Sequence, residues 1–292
     1  MNAPTFQPVR AALWMIGAIV SFTLMAVAGR ALAGALDTFE IMLYRSVIGV
    51  GIVLLVGGFA GTLNQINARS MHIHLLRNVS HFTGQNLWFF AIPLIPLAQV
   101  FALEFTSPIW AMFMAALLLG ERLSRISLLT AALGFGGVLI ITRPWAASLS
   151  PGLVAAGLAA VGFAGSAVFT RLLARSQTIT CILFWLTVMQ SAFGLIMAGY
   201  DGDIAPLSGV TWPWIMLVAV AGLFAHFCLT KALTLAPLAL VVPVDFVRLP
   251  VIAVVGMLFY AEPLQGVVIV GAAIILAANY MNIVASTREK RA

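Results

Sequence analysis

Pro96 to Leu123 reads PLAQVFALEFTSPIWAMFMAALLLGERL, and Pro237 to Leu264 reads PLALVVPVDFVRLPVIAVVGMLFYAEPL. Laid over each other without a gap, at a constant offset of 141, these 28-residue stretches share Pro96/Pro237, Leu97/Leu238, Ala98/Ala239, Val100/Val241, Phe105/Phe246, Leu117/Leu258, Glu121/Glu262 and Leu123/Leu264. Acid falls on acid where Glu104 meets Asp245. The same offset carries Phe22 onto Phe163, Arg30 onto Arg171 and Ile41 onto Ile182, so the register extends over most of each half. An apolar alphabet raises the rate of chance identities, so the charged and proline matches weigh most. The chain reads as a duplicated unit, with the first repeat over residues 1–145 and the second over 146–292.

At 292 residues, 62% apolar and 8% charged, with mean hydropathy +1.09, the composition lies far from that of soluble proteins, where about 25% charge is usual. Crossing a hydrocarbon core takes ~20 apolar residues in helical form, because lipid offers the backbone no hydrogen-bond partner. Runs of that kind fill nearly the whole chain. In a soluble protein a net charge of +6 would suggest nucleic acid; here, with no basic run and no aromatic platform, it reports which way the loops face, and nucleic acid is excluded as a partner. Cys181 and Cys228 stand alone in apolar segments and read as small buried hydrophobes, without metal-ligand spacing. The first apolar run, Ala11 to about Ala33, exceeds the core of a signal peptide and reads as a retained helix.

With Gly, Pro and charge as punctuation, ten helices are predicted, at about 11–34, 38–59, 70–91, 97–119, 126–142, 150–173, 178–198, 211–232, 236–259 and 264–286. With the N-terminus inside, ten Lys and Arg fall on that side and only Arg30 and Arg143 on the other, which puts both termini in the cytoplasm. Five helices per half is an odd number, so the second half crosses the membrane upside down relative to the first. The fold class expected is an all-α integral membrane protein of ten transmembrane helices in two inverted five-helix repeats. An approximate two-fold axis in the membrane plane lets one site face either side as the halves rock, which is the arrangement of alternating access.

Each ionisable group at mid-bilayer costs at least ~2.5–3.5 kcal/mol on insertion scales and needs a partner, a cavity or a function. Arg45 and Glu104 are predicted at similar depth and read as an ion pair; Asp245 and Arg248 are i, i+3 on one helix face. The third helix carries Arg77, Asn78, Ser80, His81, Thr83, Gln85 and Asn86, too polar to face lipid throughout. His226 is expected nearer the inner surface. Pro108, Pro243 and Pro250 lie inside spans and are candidate kinks that shape gates. Trp88, Phe101, Phe163 and Phe22 are candidate aromatic walls of a cavity. A substrate cavity is therefore expected around His81, Gln85, Trp88, Phe101, Glu104, Phe163, Asp245 and Arg248. Glycines 134, 136 and 137 suggest close helix packing.

Enzyme signals are missing: there is no HExxH, P-loop or GxSxG motif and no membrane carboxylate dyad, and no metal or cofactor is expected. LLLGERL at Leu117 to Leu123, followed by ALGFGGVLI at Ala132 to Ile140, resembles the signature closing each repeat of the drug/metabolite transporter superfamily, of the EamA type. In the second half Ala261 stands where the signature has glycine, ahead of Glu262. The resemblance covers essentially the whole chain. It implies a bacterial inner-membrane carrier that exports amino acids or related metabolites, akin to the family's amino-acid exporters, with a cavity formed chiefly by helices 1, 3, 4, 6, 8 and 9. Zwitterionic cargo suits a site holding both signs of charge. The alternatives are an importer or exchanger of other metabolites, and a channel or lipid scramblase.

Overall fold

The computed structural model describes residues 7–120, 125–143, 150–173, 176–235, 244–245, 247–263 and 265–289. Among them run α1 (Pro8–Leu32), α2 (Thr38–Phe59), α3 (Met71–Ala91), α4 (Leu97–Glu104), α5 (Ser107–Leu119), α6 (Arg125–Thr142), α7 (Pro151–Leu173), α8 (Ile179–Ala198), α9 (Thr211–Leu235), α10 (Arg248–Tyr260) and α11 (Gly266–Glu289). Six stretches are long and apolar enough to span a membrane, among them α1, α2 and the α4–α5 run, and shorter apolar helices lie within α6, α10 and α11. The protein is a multi-pass, all-α membrane protein.

Local chemistry sets the helix starts. Asp37 accepts from the Glu40 backbone N–H at 2.8 Å while the Glu40 carboxylate accepts from the Asp37 N–H at 2.8 Å, a reciprocal capping box that opens α2. The residue related by the 141 offset, Thr178, caps α8 by accepting from the Cys181 N–H.

The strongest packing runs between the halves. α1 packs on α9, and its symmetry mates α7 and α3 pack on each other; α2 packs on α8, α6 on α11 and α4 on α10. Exchanging the repeats turns the set of the first four pairs into itself, as two inverted five-helix repeats require, and α4 on α10 is a further contact between the halves. Three crossings are backbone on backbone, one of them α8 on α2, where a Cβ added to Gly194 would stand 2.8 Å from the Leu43 Cα. A Cβ added to Gly162 of α7 would stand 2.7 Å from the Gly84 Cα of α3, and one on Gly137 of α6 would stand 2.8 Å from the Gly271 carbonyl oxygen of α11. Of the three glycines expected at a packing seam, Gly137 is at one, a Cβ added to Gly134 would stand 3.3 Å from an Ile109 methyl, and Gly136 faces open space.

Polarity is inverted relative to a soluble protein. On α1 the exposed positions Leu13, Ile16, Val20 and Leu24 form an apolar stripe. On α3, His74, Arg77, Asn78, His81, Gln85 and Asn86 are buried, and Leu75, Leu76 and Val79 are exposed. Hydrocarbon rewards apolar surface and punishes polar surface, so α3 turns its polar face into the bundle.

The fourth predicted helix is two helices. α4 ends at Glu104 and α5 starts at Ser107, with Phe105 and Thr106 between them. The Thr106 hydroxyl donates to the Leu103 carbonyl at 2.6 Å and the Ser107 hydroxyl to the Glu104 carbonyl, so the freed acceptors are filled locally. Pro108 occupies the first turn of α5 and Pro250 the first turn of α10, where a missing N–H breaks no helical bond. These prolines open helices rather than bend continuous ones. The break recurs in register, since α10 starts at Arg248, the symmetry mate of Ser107. Pro243 and Glu121 lie outside the described residues.

Candidate functional site

The helix break brings opposite charges together. Glu104 is the last residue of α4, and its mate Asp245 precedes α10 by one turn, so both acids project beside the N-terminus of α10. Arg248 Nη2 donates to Glu104 Oε1 at 2.9 Å and to Asp245 Oδ2 at 3.2 Å. Trp88 Nε1 of α3 donates to the other Glu104 oxygen at 2.8 Å. Three rings surround the guanidinium: Phe22 at 4.7 Å, Phe105 at 5.0 Å and Phe101 at 5.1 Å from its carbon. Two carboxylates against one guanidinium leave the cluster one negative charge in excess. It is also incompletely bonded, because Asp245 Oδ1 and Arg248 Nε are buried without hydrogen-bond partners among the described residues.

A second group adjoins it. His226 of α9 stands edge-to-face on Phe22 at 5.7 Å and against His81 of α3 at 6.1 Å; His81 also meets Phe163 of α7 at 6.0 Å. His81 Nε2 and Gln85 Nε2 are buried without partners among the described residues. Gln85 is the symmetry mate of His226, and Phe22 of Phe163, so the polar and aromatic lining repeats across the axis with different residues.

Of the eight residues expected around a cavity, Trp88, Phe101, Glu104, Asp245 and Arg248 form one connected cluster, and His81 and Phe163 join it through His226 and Phe22. Two expectations need correction. Arg45 does not pair with Glu104, whose partner is Arg248 from the other half; depth along two helices fixes height but not which face each side chain takes. His226 is central rather than near one surface, because α9 continues to Leu235 and its midpoint falls within a turn of His226. Phe105 was not singled out as a ring of the cage, though its repeat identity with Phe246 was the available signal. Among the described residues no group of His, Cys, Asp and Glu could hold a metal ion.

A charged, incompletely bonded, aromatic-walled cluster between two halves, at the ends of interrupted helices, is equipped to bind a polar organic molecule. Comparison with known proteins bears on what kind. The model of the EamA-like transporter family matches residues 9–143 and again 150–284. A riboflavin transporter of Rhizobium johnstonii is 31% identical over 206 residues, covering 70% of this chain and 68% of that one. An S-adenosylmethionine uptake transporter of Rickettsia felis is 22% identical over 91% of this chain and 90% of its own. A pseudopaline exporter of Pseudomonas aeruginosa is 27% identical over 88% and 90%. One solved crystal structure superposes with a TM-score of 0.69 over 95% of this chain and 98% of that one, at 18% identity, a likeness of fold.

Proposed function

The chain belongs to the EamA-like transporter family, and on that premise we propose that it is a secondary transporter of the bacterial inner membrane which carries amino acids or amino-acid-like metabolites by alternating access. The termini are cytoplasmic, on the ten-to-two division of basic residues, and residues 1–145 and 146–292 are the two units that rock against each other. The cargo site is the space around Glu104, Asp245 and Arg248, walled by Phe22, Trp88, Phe101 and Phe163 and reaching His81 and Gln85. Pro108 and Pro250, at the starts of α5 and α10, and Pro243, expected from the sequence within the ninth span, shape the gates.

One observation carries this reading: symmetry-related acids from the two halves share one guanidinium, and Asp245 Oδ1 is a buried acceptor without a partner among the described residues. Excess negative charge beside aromatic faces favours a cationic group such as an ammonium. Because Glu104 and Asp245 belong to different halves, their engagement with the cargo couples binding to the relative position of the halves. Both directions of movement occur among the relatives, one named for uptake and another for export. Export in the cell is our reading, and the thermodynamic direction follows the gradient.

A second reading has its own support. The rings around Arg248 offer stacking surface to a flat heteroaromatic cargo, and the relatives include riboflavin transporters.

Entrance counterflow in proteoliposomes separates these. Liposomes are loaded with single unlabelled amino acids, S-adenosylmethionine or riboflavin, and uptake of the labelled compound is followed. Saturable, transient accumulation with amino-acid loads, lost in Asp245→Asn, is expected. Accumulation with riboflavin alone would replace the amino-acid reading by the flavin one. Flux without saturation or counterflow in every case would point to a channel and reject the carrier.

A further inference from the structure

A small pocket lies between α2, α8 and α9, lined by residues that include Arg45, Ser46, Thr187, Gln190 and His226. Its lining is paired by the repeat: Arg45 with Leu186, Ser46 with Thr187, and Gly49 with Gln190, each separated by 141. Both members of three such pairs line the pocket, so it adjoins the approximate two-fold axis at the α2–α8 contact, displaced toward α9, whose mate α3 does not line it. Points on that axis move least when one half rocks against the other, so a group held beside it is presented to either side with little displacement.

One pair breaks the symmetry by a full charge. Arg45 is in no ion pair among the described residues, and its Nη1 is buried without a hydrogen-bond partner. Gln190 Oε1, in the same lining, is also unpartnered. No nearby acid is borrowed from the Arg248 cluster, where Glu104 and Asp245 are both engaged. Arg77 on α3 adds a second cation held only by neutral groups, the Thr170 hydroxyl at 3.1 Å and the Asn78 amide oxygen at 3.0 Å. This side of the bundle therefore holds positive charge in excess, as the Arg248 side holds negative charge. His226 joins them, lining the pocket and standing on Phe22, which in turn faces Arg248.

A guanidinium kept at mid-membrane without a counter-charge is expensive, and an oxyanion that fits its two-pronged donor array offsets that cost. We propose that Arg45 forms an anion subsite beside the two-fold axis and takes the carboxylate of the cargo, with Ser46 and Thr187 beside it. Gln190 Oε1 then accepts from a proton-bearing group next to that carboxylate. This deepens the carrier reading and rests on it: the cargo is a zwitterion whose carboxylate end lies at Arg45 and whose other polar end reaches Asp245 and Glu104.

The test uses formate, the smallest carboxylate, as the probe. Thermal melts of the purified full chain in an uncharged detergent are compared in sodium formate and in sodium chloride at equal ionic strength. The wild type is expected to melt about 1–3 °C higher in formate, Arg45→Gln to show no difference, and Arg45→Lys a reduced one. Should Arg45→Gln fail to fold, Leu186→Asp keeps Arg45 and sets a fixed carboxylate across the pocket; it is expected to abolish the formate response. Equal melting of the wild type in both salts, or a formate response that survives in Arg45→Gln or Leu186→Asp, overturns the subsite. Counterflow of S-adenosylmethionine against its decarboxylated analogue then tests the link to cargo. Discrimination between them that is lost in Arg45→Gln supports the proposal, and discrimination unchanged by that substitution rejects it. A formate response with no counterflow of any zwitterion leaves the anion pocket standing and removes its assignment to cargo, which is the failure of the carrier reading and not of the site.

Discussion

Glu262 and Arg30 form an ion pair that ties the loop after α10 to α1. The second Glu262 oxygen accepts from the Leu97 N–H at 2.9 Å, at the start of α4, so one acid of the second half holds two elements of the first. Arg30 fills the rest of its fork with the carbonyls of Ile92, at 3.0 Å from Nε, and Ile95, at 2.8 Å from Nη2. A lysine cannot reproduce that planar set. Arg30→Lys is expected to cost about 1–3 kcal/mol, read as a lower melting temperature in detergent. Glu262→Ala should be worse than Glu262→Gln, because glutamine still offers an oxygen to the Leu97 N–H. Equal melting of these three variants and wild type would show that the tie contributes nothing.

The repeat explains a second prediction. Gly120 ends α5 at φ +67°, and its mate Ala261 ends α10 at φ +53°; the two N–H groups bond to Ala115 and Gly256, which are also mates. An L-residue in the left-handed region costs roughly 1–2 kcal/mol that glycine does not incur, against glycine's larger entropy loss. Ala261→Gly should stabilise by up to about 1 kcal/mol and Gly120→Ala destabilise by a similar amount. Melting temperatures that move in the same direction for both would contradict the shared geometry.

Crossing glycines make a third. Gly162→Ala puts a methyl against the Gly84 backbone and the Ser80 carbonyl, neither of which can rotate away. A loss of about 1–3 kcal/mol is expected from prying α3 and α7 apart. On the same helix Gly157 has nothing within 4 Å of an added Cβ, so Gly157→Ala should be neutral or gain up to about 1 kcal/mol in helix propensity. Similar melting of the two variants would remove close approach as the cause.

Trp88 and Glu104 should act as one unit. Trp88→Phe removes the one neutral donor that the Glu104 carboxylate has among the described residues, and Glu104→Gln removes the charge that Arg248 and Trp88 both address. Double-mutant analysis of cargo affinity is expected to give a coupling of about 0.5–3 kcal/mol. Strict additivity would mean that the indole serves packing alone.

Much of this was legible in the sequence. The 141-residue offset states the duplication, and odd helix parity then dictates inversion. Glu104, Asp245 and Arg248 were readable as groups that need partners, because ionised side chains in a bilayer require them, and the first two stood out as repeat mates. The polar run from Arg77 to Asn86 announced that one face of α3 turns inward. What was not legible is azimuth and interruption. Height along a helix was computable at a constant rise, but Arg45 and Glu104 leave their helices toward different neighbours. At Phe105–Thr106 the sequence announced only a kink, through Pro108, whose missing N–H frees the Glu104 carbonyl; that the helix ends and restarts rests on Thr106 and Ser107 side-chain bonds that only the folded chain displays. The left-handed turn at Ala261 is hidden for a related reason, since alanine there is expected to be helical and the packing of Glu262 decides otherwise.

The pairing of α3 with α7 also sets an order of events during synthesis. A helix that turns His74, Arg77, Asn78, His81, Gln85 and Asn86 inward meets α7 through Arg77 and His81, α8 through His74 and Asn78, and α9 through His81. Even α7 is complete only at Leu173, 82 residues after the end of α3 at Ala91. At ordinary elongation rates that is a wait of about 4–16 s. Throughout it the polar face of α3 lacks the partners that α7, α8 and α9 supply, so the second repeat completes the packing that the first one waits for.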